Sequence, residues 1–138
     1  MPRSRGGLNH GVLLLDSEGL SRLIKNDPHV VHLVRKAQER DTLVAISNLT
    51  LIEAWHEKVR MDQFRWHVSR LRVLPVTDAV TWRAIDLLRK AGLHGHKYAV
   101  DAVVAATALQ YAAPRIVVTS DVDDMDKLCG NRVQAVGV

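Results

Sequence analysis

The chain has 138 residues, of which 47% are hydrophobic and 25% are charged, and its formal net charge is +4. This length predicts one domain with its own core, and the composition is ordinary for a soluble globular protein. Its single cysteine, Cys129, excludes an internal disulfide framework and favours a reducing compartment, with the thiol buried as filler. No apolar segment has the length of a signal peptide or a membrane span, so we expect a cytoplasmic protein with no membrane contact.

The first ten residues differ in composition from the rest of the chain. Arg3 and Arg5 supply two of the net positive charges, and the segment has no apolar periodicity. We therefore expect residues 1–10 to be a flexible leader and residues 11–138 to form a single domain.

Apolar runs alternate with helical periodicity in the first part of the chain. VLLLD (12–16) and TLVAIS (42–47) predict buried strands. Between them, LSRLI and HVVHLVRKAQE have helical spacing and are separated by the breaker NDP at 26–28. After the second strand, Asn48 or Thr50 can cap a helix that carries LIEAWHEKV.

The same alternation continues to the end of the chain. A short basic helix over 61–69 is followed by a third strand, LRVLPV (71–76). TDAVTWRAIDLLRKAG predicts a helix with Gly92 as its C-cap, GLHGHK a loop, and the alanine-rich stretch 96–114 a further helix. RIVVTS (115–120) predicts a fourth strand, DVDDMDKLC a short helix and RVQAVGV a last edge strand.

This order of elements defines the fold class. Strands that are continuous apolar runs and alternate with helices predict an α/β fold, in which helices cover both faces of a parallel sheet of four to five strands. In such sheets, functional groups collect beyond the carboxyl ends of the strands.

Four acids are expected at that edge. Asp16 ends the first strand, and Asp121 follows the fourth. Glu53 lies in the first turns of the helix after the second strand. Asp101, near the start of the alanine-rich helix, is a carboxylate in an apolar environment, which is costly unless something compensates it.

Repulsion among these carboxylates predicts a cation. Two like charges about 4 Å apart cost roughly 4 kcal/mol at an effective dielectric of 20. Sites made only of carboxylate oxygens suit Mg²⁺, or Mn²⁺ as its substitute, because these hard ions prefer oxygen ligands and keep several waters. One such water can be activated for in-line attack on a phosphodiester.

A basic segment lies between residues 58 and 72. Its positive residues outnumber Asp62, the one acid in the cluster, and they are Lys58, Arg60, Arg65, Arg70 and Arg72. Two interpretations stay open, a solvated helix face and a surface that follows the phosphates of a nucleic acid.

Other arrangements are weaker. Glu53 and His56 have the E-x-x-H spacing of di-iron sites, but no second pair exists. His94 and His96 lack the further ligands of a zinc site and are expected to be loop residues. A phosphoacceptor receiver domain would need paired acids after the first strand and a lysine after the last, and this chain has neither.

The order of four motifs resembles the PIN-domain nucleases. LLLDSEGL, an acid in LTLIEAW, VDAVVAATA and VVTSDVDDMDKL follow one another over residues 11–136. The resemblance is strongest to the VapC type, the toxin of a toxin–antitoxin pair, and VVTSDVDDM is its most specific part.

The resemblance implies a fold, an activity and a set of site residues. The fold is a three-layer α/β/α sandwich, and the activity is Mg²⁺-dependent endoribonuclease cleavage of tRNA, rRNA or mRNA. The expected partners are a cognate antitoxin protein and a second copy in a homodimer. The residues carried over are Asp16, Glu53, Asp101 and Asp121 as catalytic metal ligands, with Thr119 as a supporting hydroxyl and Asp124 as a possible fifth acid.

Two points complete the hypothesis. The basic residues Arg60, Arg65, Arg70 and Arg72 would then bind the RNA backbone. The alternative function is a non-catalytic RNA- or protein-binding module on the same scaffold, which would be indicated by the loss of an acid.

Overall fold

Five parallel strands form one sheet at the centre of the computed structural model, which describes residues 10–138. Nine residues of the expected leader, 1–9, lie outside the described residues. The strands are β1 (Val12–Leu15), β2 (Leu43–Ser47), β3 (Arg72–Leu74), β4 (Arg115–Thr119) and β5 (Gln134–Gly137). Their order across the sheet is β3-β2-β1-β4-β5, so the parallel sheet and the edge position of the last strand are confirmed.

Seven α-helices connect the strands in the described part of the chain. They are α1 (Ser17–Ile24), α2 (Pro28–Glu39), α3 (Asn48–Ala54), α4 (Met61–Ser69), α5 (Asp78–Ala91), α6 (Gly95–Ala108) and α7 (Val122–Cys129). None of the helices within residues 10–138 has the length and apolar character needed to cross a membrane.

The sheet separates two apolar layers. On one face, Leu14 and Val117 pack with the buried residues of α5, α6 and α7. On the other face, Leu13 and Val118 pack with α2, while α1 and α4 contribute Leu20 and Phe64 to an adjoining cluster. Strand β1 is buried at all four positions because both of its faces are covered, which explains its unbroken apolar run. The expected α/β/α sandwich is confirmed.

Helix α6 packs most closely against the sheet. Ala102, Ala105, Ala106 and Ala108 are fully buried in the same cluster as β1 and β4. Their small side chains allow the helix to come near the strands, and this contact places Asp101 beside the strand ends.

Two helix boundaries differ from the sequence predictions. Ser47, and not Asn48 or Thr50, caps α3, because its hydroxyl oxygen at the end of β2 accepts a hydrogen bond from the Leu49 amide at 3.2 Å. The helix then ends at Ala54, since Trp55 adopts an extended backbone conformation, and WHEKV is not helical.

Helix α6 also differs, because it begins at Gly95, inside the predicted loop, and ends at Ala108. The stretch after Ala108 must turn to enter β4, and Pro114 disfavours helix at the residue before it. The predicted C-cap of α5 is confirmed, since Gly92 adopts a left-handed conformation with φ of 70°.

Candidate metal centre

The carboxyl ends of β1 and β4 lie side by side, since Leu15 pairs with Val118. Asp16 directly follows β1, and Asp121 follows β4 after Ser120. In a parallel sheet these ends share one edge, so the two strands deliver two acids to the same place.

Asp16 is a buried acid that ties the two strand ends together. One carboxylate oxygen accepts a hydrogen bond from the Gly19 amide at 2.8 Å and caps α1, and the other accepts from the Ser120 amide at 3.2 Å. Burial raises the pKa of Asp16, and the hydrogen bonds from Gly19, Thr119 and Ser120 oppose that rise. Both of its oxygens are therefore engaged within the fold.

Thr119 supports this arrangement from β4. It is fully buried, its hydroxyl hydrogen-bonds the Asp16 carboxylate, and its oxygen accepts a hydrogen bond from the Asp121 amide at 2.9 Å. Thr119 thus fixes the start of α7 relative to the end of β1.

Three carboxylates converge beside this edge. Asp101 from the second turn of α6, Asp121 at the N-cap of α7 and Asp124 in its first turn each place one oxygen within 4.8 Å of the others. Asp101 is half-buried, and its pKa is raised to about 6 by burial first and then by the charges of Asp121, Asp124, Glu53 and Asp16. Keeping these neighbouring carboxylates ionised therefore costs free energy.

A cavity of about 350 Å³ opens at this cluster. It is lined by Ser120, Asp121, Val122, Asp123, Asp124 and Lys127. The ammonium group of Lys127 lies 3.9 Å from Asp124 and is the one cation on the cavity wall. Asp121 and Asp124 are therefore open to solvent on the side of α7.

The predicted acids divide into two groups. Asp101, Asp121 and Asp124 form the close cluster. Asp16 and Glu53 lie outside it, although both raise the pKa of Asp101 by their charge. Glu53 is exposed on the last turn of α3.

Sequence reasoning missed Lys127 at this site. The available signal was spacing, because Asp121, Asp124 and Lys127 follow one another at intervals of three residues and so share one face of α7.

The donor set fits a hard divalent cation. Oxygens that bind one such ion at about 2.0–2.6 Å lie no more than roughly 4–5 Å apart. The 4.8 Å limit on the three carboxylates is compatible with that spacing. Within residues 10–138 this is the one group of three or more acidic, histidine or cysteine side chains close enough to share an ion. His94 and His96, with ring centroids 6.5 Å apart, do not form such a group.

The predicted RNA-binding arginines lie on or beside α4. Arg60 is paired with Asp62 at 3.1 Å, and the guanidinium of Arg70 lies 4.8 Å from the centre of the Trp66 ring. Arg65 and Arg72 are exposed.

Two of these arginines line separate grooves. Arg60 lines one of about 210 Å³ that also includes Ile24 of α1. Arg70 lines another, of about 290 Å³, that includes Val34 of α2. Neither groove includes an acid of the cluster.

The comparison with protein families identifies the fold. Residues 13–131 match the family model of the PIN domain. Because this match covers most of the chain, the protein belongs to the PIN domain family. The family predicted from the sequence motifs is confirmed. Comparison with curated proteins gives no significant match.

Several solved structures share the fold. The DNA-bound VapBC from Salmonella typhimurium contains a chain with 23% identity and a TM-score of 0.69, and the match covers 91% of this chain and 98% of that one. A chain of VapBC2 from Rickettsia felis, bound to a DNA fragment from its promoter, has 17% identity and a TM-score of 0.68, and the match covers 91% of this chain and 98% of that one. A chain of a toxin–antitoxin complex from Klebsiella pneumoniae has 20% identity and a TM-score of 0.62, and the match covers 90% of this chain and 95% of that one. These identities establish similarity of fold.

Proposed function

We propose that this protein is a Mg²⁺-dependent endoribonuclease and acts as the toxin of a toxin–antitoxin pair. The observation that carries the proposal is the convergence of Asp101, Asp121 and Asp124, whose oxygens lie within 4.8 Å of one another at the carboxyl edge of the sheet. The raised pKa of Asp101 supports it, because a divalent cation would relieve the repulsion that causes the rise.

Each acid has a proposed part in this site. Asp101, Asp121 and Asp124 would hold the cation, while Asp16 and Glu53 would add negative charge beside it. When bound, Mg²⁺ or its substitute Mn²⁺ would lower the pKa of a water molecule and stabilise charge that develops on the phosphodiester.

The chain's own groups would position the reaction. Asp16 accepts a hydrogen bond from the Ser120 amide that joins the ends of β1 and β4, and one from the Gly19 amide that fixes the start of α1. Lys127, 3.9 Å from Asp124, is placed to attract a phosphate oxygen of the RNA. Because these groups are already in place, the protein has to rearrange less when the substrate binds.

The proposed substrate is RNA, whether tRNA, rRNA or mRNA, bound in the cytoplasm. The positive net charge favours a polyanionic substrate. Arg60, Arg65, Arg70 and Arg72 are proposed as backbone contacts on the α4 side, as the sequence predicts.

A cognate antitoxin and a homodimer complete the proposal. Related folds come from complexes named VapBC and toxin–antitoxin complex. Large apolar side chains are exposed and available to partners, and they are Ile52, Trp55, Met61, Trp66, Val73, Trp82 and Ile85.

The test of this function is cleavage of a mixed RNA pool by purified wild-type protein and by Asp101→Asn, each with Mg²⁺, Mn²⁺ or EDTA. We expect cleavage that requires the metal and falls by at least about 100-fold in the variant, since the variant lacks a cation-binding charge. Circular dichroism establishes that the variant is folded.

Glu39→Gln is the matched control, since Glu39 is an exposed acid at the end of α2, which leads to the start of β2 at the opposite edge of the sheet. Its cleavage rate should stay near that of the wild type. Equal cleavage by wild type and Asp101→Asn would contradict the proposal, and RNA binding without cleavage would favour the non-catalytic binding module instead.

A further inference from the structure

A second cavity, of about 520 Å³, lies between α5, α7 and the short turn that follows α7. Its volume exceeds that of the cavity at the acids, and positive side chains outnumber negative ones in its lining. Four cationic side chains and two carboxylates line it, and they are Arg83, Lys90, Lys127, Arg132, Asp86 and Asp126. We refer to it as the cationic groove.

Among the described residues 10–138, two of these cations have no carboxylate partner. Arg83 makes no ion pair or side-chain hydrogen bond with them. Within the same part of the chain, Arg132 donates only to main-chain carbonyls, those of Cys129 at 3.1 Å and Leu128 at 3.3 Å. Their positive charges are therefore available to a ligand.

Neighbouring contacts reinforce the positive potential. Asp86 lies 3.1 Å from Lys90 and 2.7 Å from Arg89, so its single charge is shared with an arginine outside the groove. Arg115 donates to the carbonyl of Arg132 at 3.4 Å and brings another guanidinium close. Burial raises the pKa of the Cys129 thiol, and the charges of Arg132, Arg83 and Arg115 oppose that rise.

The cationic groove adjoins the acidic cavity. Lys127 lines both of them, and its ammonium group lies 3.9 Å from Asp124. Helix α7 thus carries acids at its start and groove-lining residues towards its end. A polyanion that lies in the groove would reach the carboxylate cluster along this helix.

We infer that the cationic groove binds the phosphodiester backbone of the RNA substrate and leads it to the acids along α7. This inference rests on the proposed function and adds a binding surface on the opposite side of the sheet from α4. RNA suits the groove because a strand carries repeated phosphates, and uncompensated arginines bind phosphate oxygens through their planar donors.

The experiment measures RNA binding without cleavage. Fluorescence anisotropy of a labelled random-sequence single-stranded RNA is recorded in EDTA with the Asp101→Asn protein, over salt from about 50 to 200 mM. Arg83→Gln and Arg83→Gln with Lys90→Gln are compared with Arg40→Gln, which removes the same charge from an exposed side chain at the end of α2, outside the groove. Arg83 is chosen over Arg132 because Arg132 also supports the end of α7.

We expect Arg83→Gln to weaken binding several-fold and to reduce the slope of log affinity against log salt by about 0.7, the value for one lost phosphate contact on a single strand. Arg40→Gln should leave both quantities near their starting values. Equal effects of Arg83→Gln and Arg40→Gln, or no effect of either, would overturn the inference. A labelled polyglutamate peptide serves as a second probe. If Arg83→Gln weakens binding of this peptide but not of RNA, the inference is overturned, because the groove then binds an acidic protein segment.

Failure of the proposed function gives a different result. If the wild type does not cleave RNA but Arg83→Gln still weakens RNA binding selectively, the groove is supported and the nuclease is not. If the wild type cleaves RNA with Mg²⁺ and Arg83→Gln binds RNA as well as its parent, the nuclease is supported and the groove is overturned.

Discussion

Asp101 is the one charged residue between Lys97 and Arg115, and its surroundings account for its position. The residues that follow it in α6 are buried against the sheet, whereas Asp101 lies at the rim of that contact and faces the other acids. Sequence alone could identify Asp101 as unusual, because a lone charge among alanines and valines is visible in the pattern.

Sequence could not decide which acids would meet. Asp16 and Asp124 were both plausible ligands, but Asp16 is held by hydrogen bonds to Gly19 and Ser120, whereas Asp124 faces Asp101 and Asp121. That difference depends on side-chain contacts across elements, which strand and helix periodicity do not contain.

We expect the substitution Asp101→Asn to stabilise the metal-free protein at about pH 8. The pKa of Asp101 rises from 3.8 to about 6 in the fold, so its protonated form contributes stability at low pH. That contribution is complete below the unfolded pKa and is lost as the pH rises through the folded pKa. Melting temperatures in EDTA at several pH values measure the effect.

Glu39→Gln again serves as the control, and it should change the melting temperature little at any pH. The difference between wild type and Asp101→Asn should shrink as the pH falls towards about 4, where the carboxyl is neutral. A variant that is less stable than the wild type at about pH 8 in EDTA would show that Asp101 is not under electrostatic strain.

Elements were predicted best where their signal is local. The inner strands β1, β2 and β4 are largely apolar because both faces of the sheet are covered there, and α5 ends at a glycine that can adopt positive φ. The end of α3 and the start of α6 were predicted less well. WHEKV has no strong helix breaker and GLHGHK contains two glycines, yet the first helix ends at Ala54 and the second begins at Gly95.

The substitution Gly11→Ala should lower the free energy of unfolding by roughly 2–4 kcal/mol. Gly11 precedes β1 with φ of +82°, and an added Cβ would lie 2.1 Å from the Pro114 carbonyl oxygen. The neighbouring Val12 amide donates to that same oxygen at 2.9 Å, so the backbone cannot move without losing the bond. Urea unfolding gives the free energy.

Gly92→Ala is the matched comparison, because Gly92 has φ of +70° but nothing within 4 Å of its Cβ position. It should cost only about 1–2 kcal/mol, the penalty of the left-handed conformation. Equal losses in the two variants would mean that the close approach to Pro114 contributes nothing.

The order of the strands in the sheet brings residues from distant parts of the sequence to one edge. Strand order β3-β2-β1-β4-β5 puts the ends of β1 and β4 side by side. Asp121 and Asp124, which follow β4, meet Asp101 from α6 at this edge. The parallel sheet and its functional edge could be predicted from the alternation of elements, whereas the cationic groove between α5 and α7 could not. Its residues are far apart in sequence, and only the packing of the two helices brings Arg83 and Arg132 to one cavity.

The central claim is that this edge is a divalent-cation site. Its most direct test is a titration with Mn²⁺, in which the free ion is measured by its electron paramagnetic resonance signal, for wild type, Asp101→Asn and Glu39→Gln. We predict that wild type and Glu39→Gln bind Mn²⁺ with similar affinity, that Mg²⁺ competes, and that Asp101→Asn binds about tenfold more weakly or worse. Absence of binding by the wild type, or equal binding by wild type and Asp101→Asn, would contradict the claim.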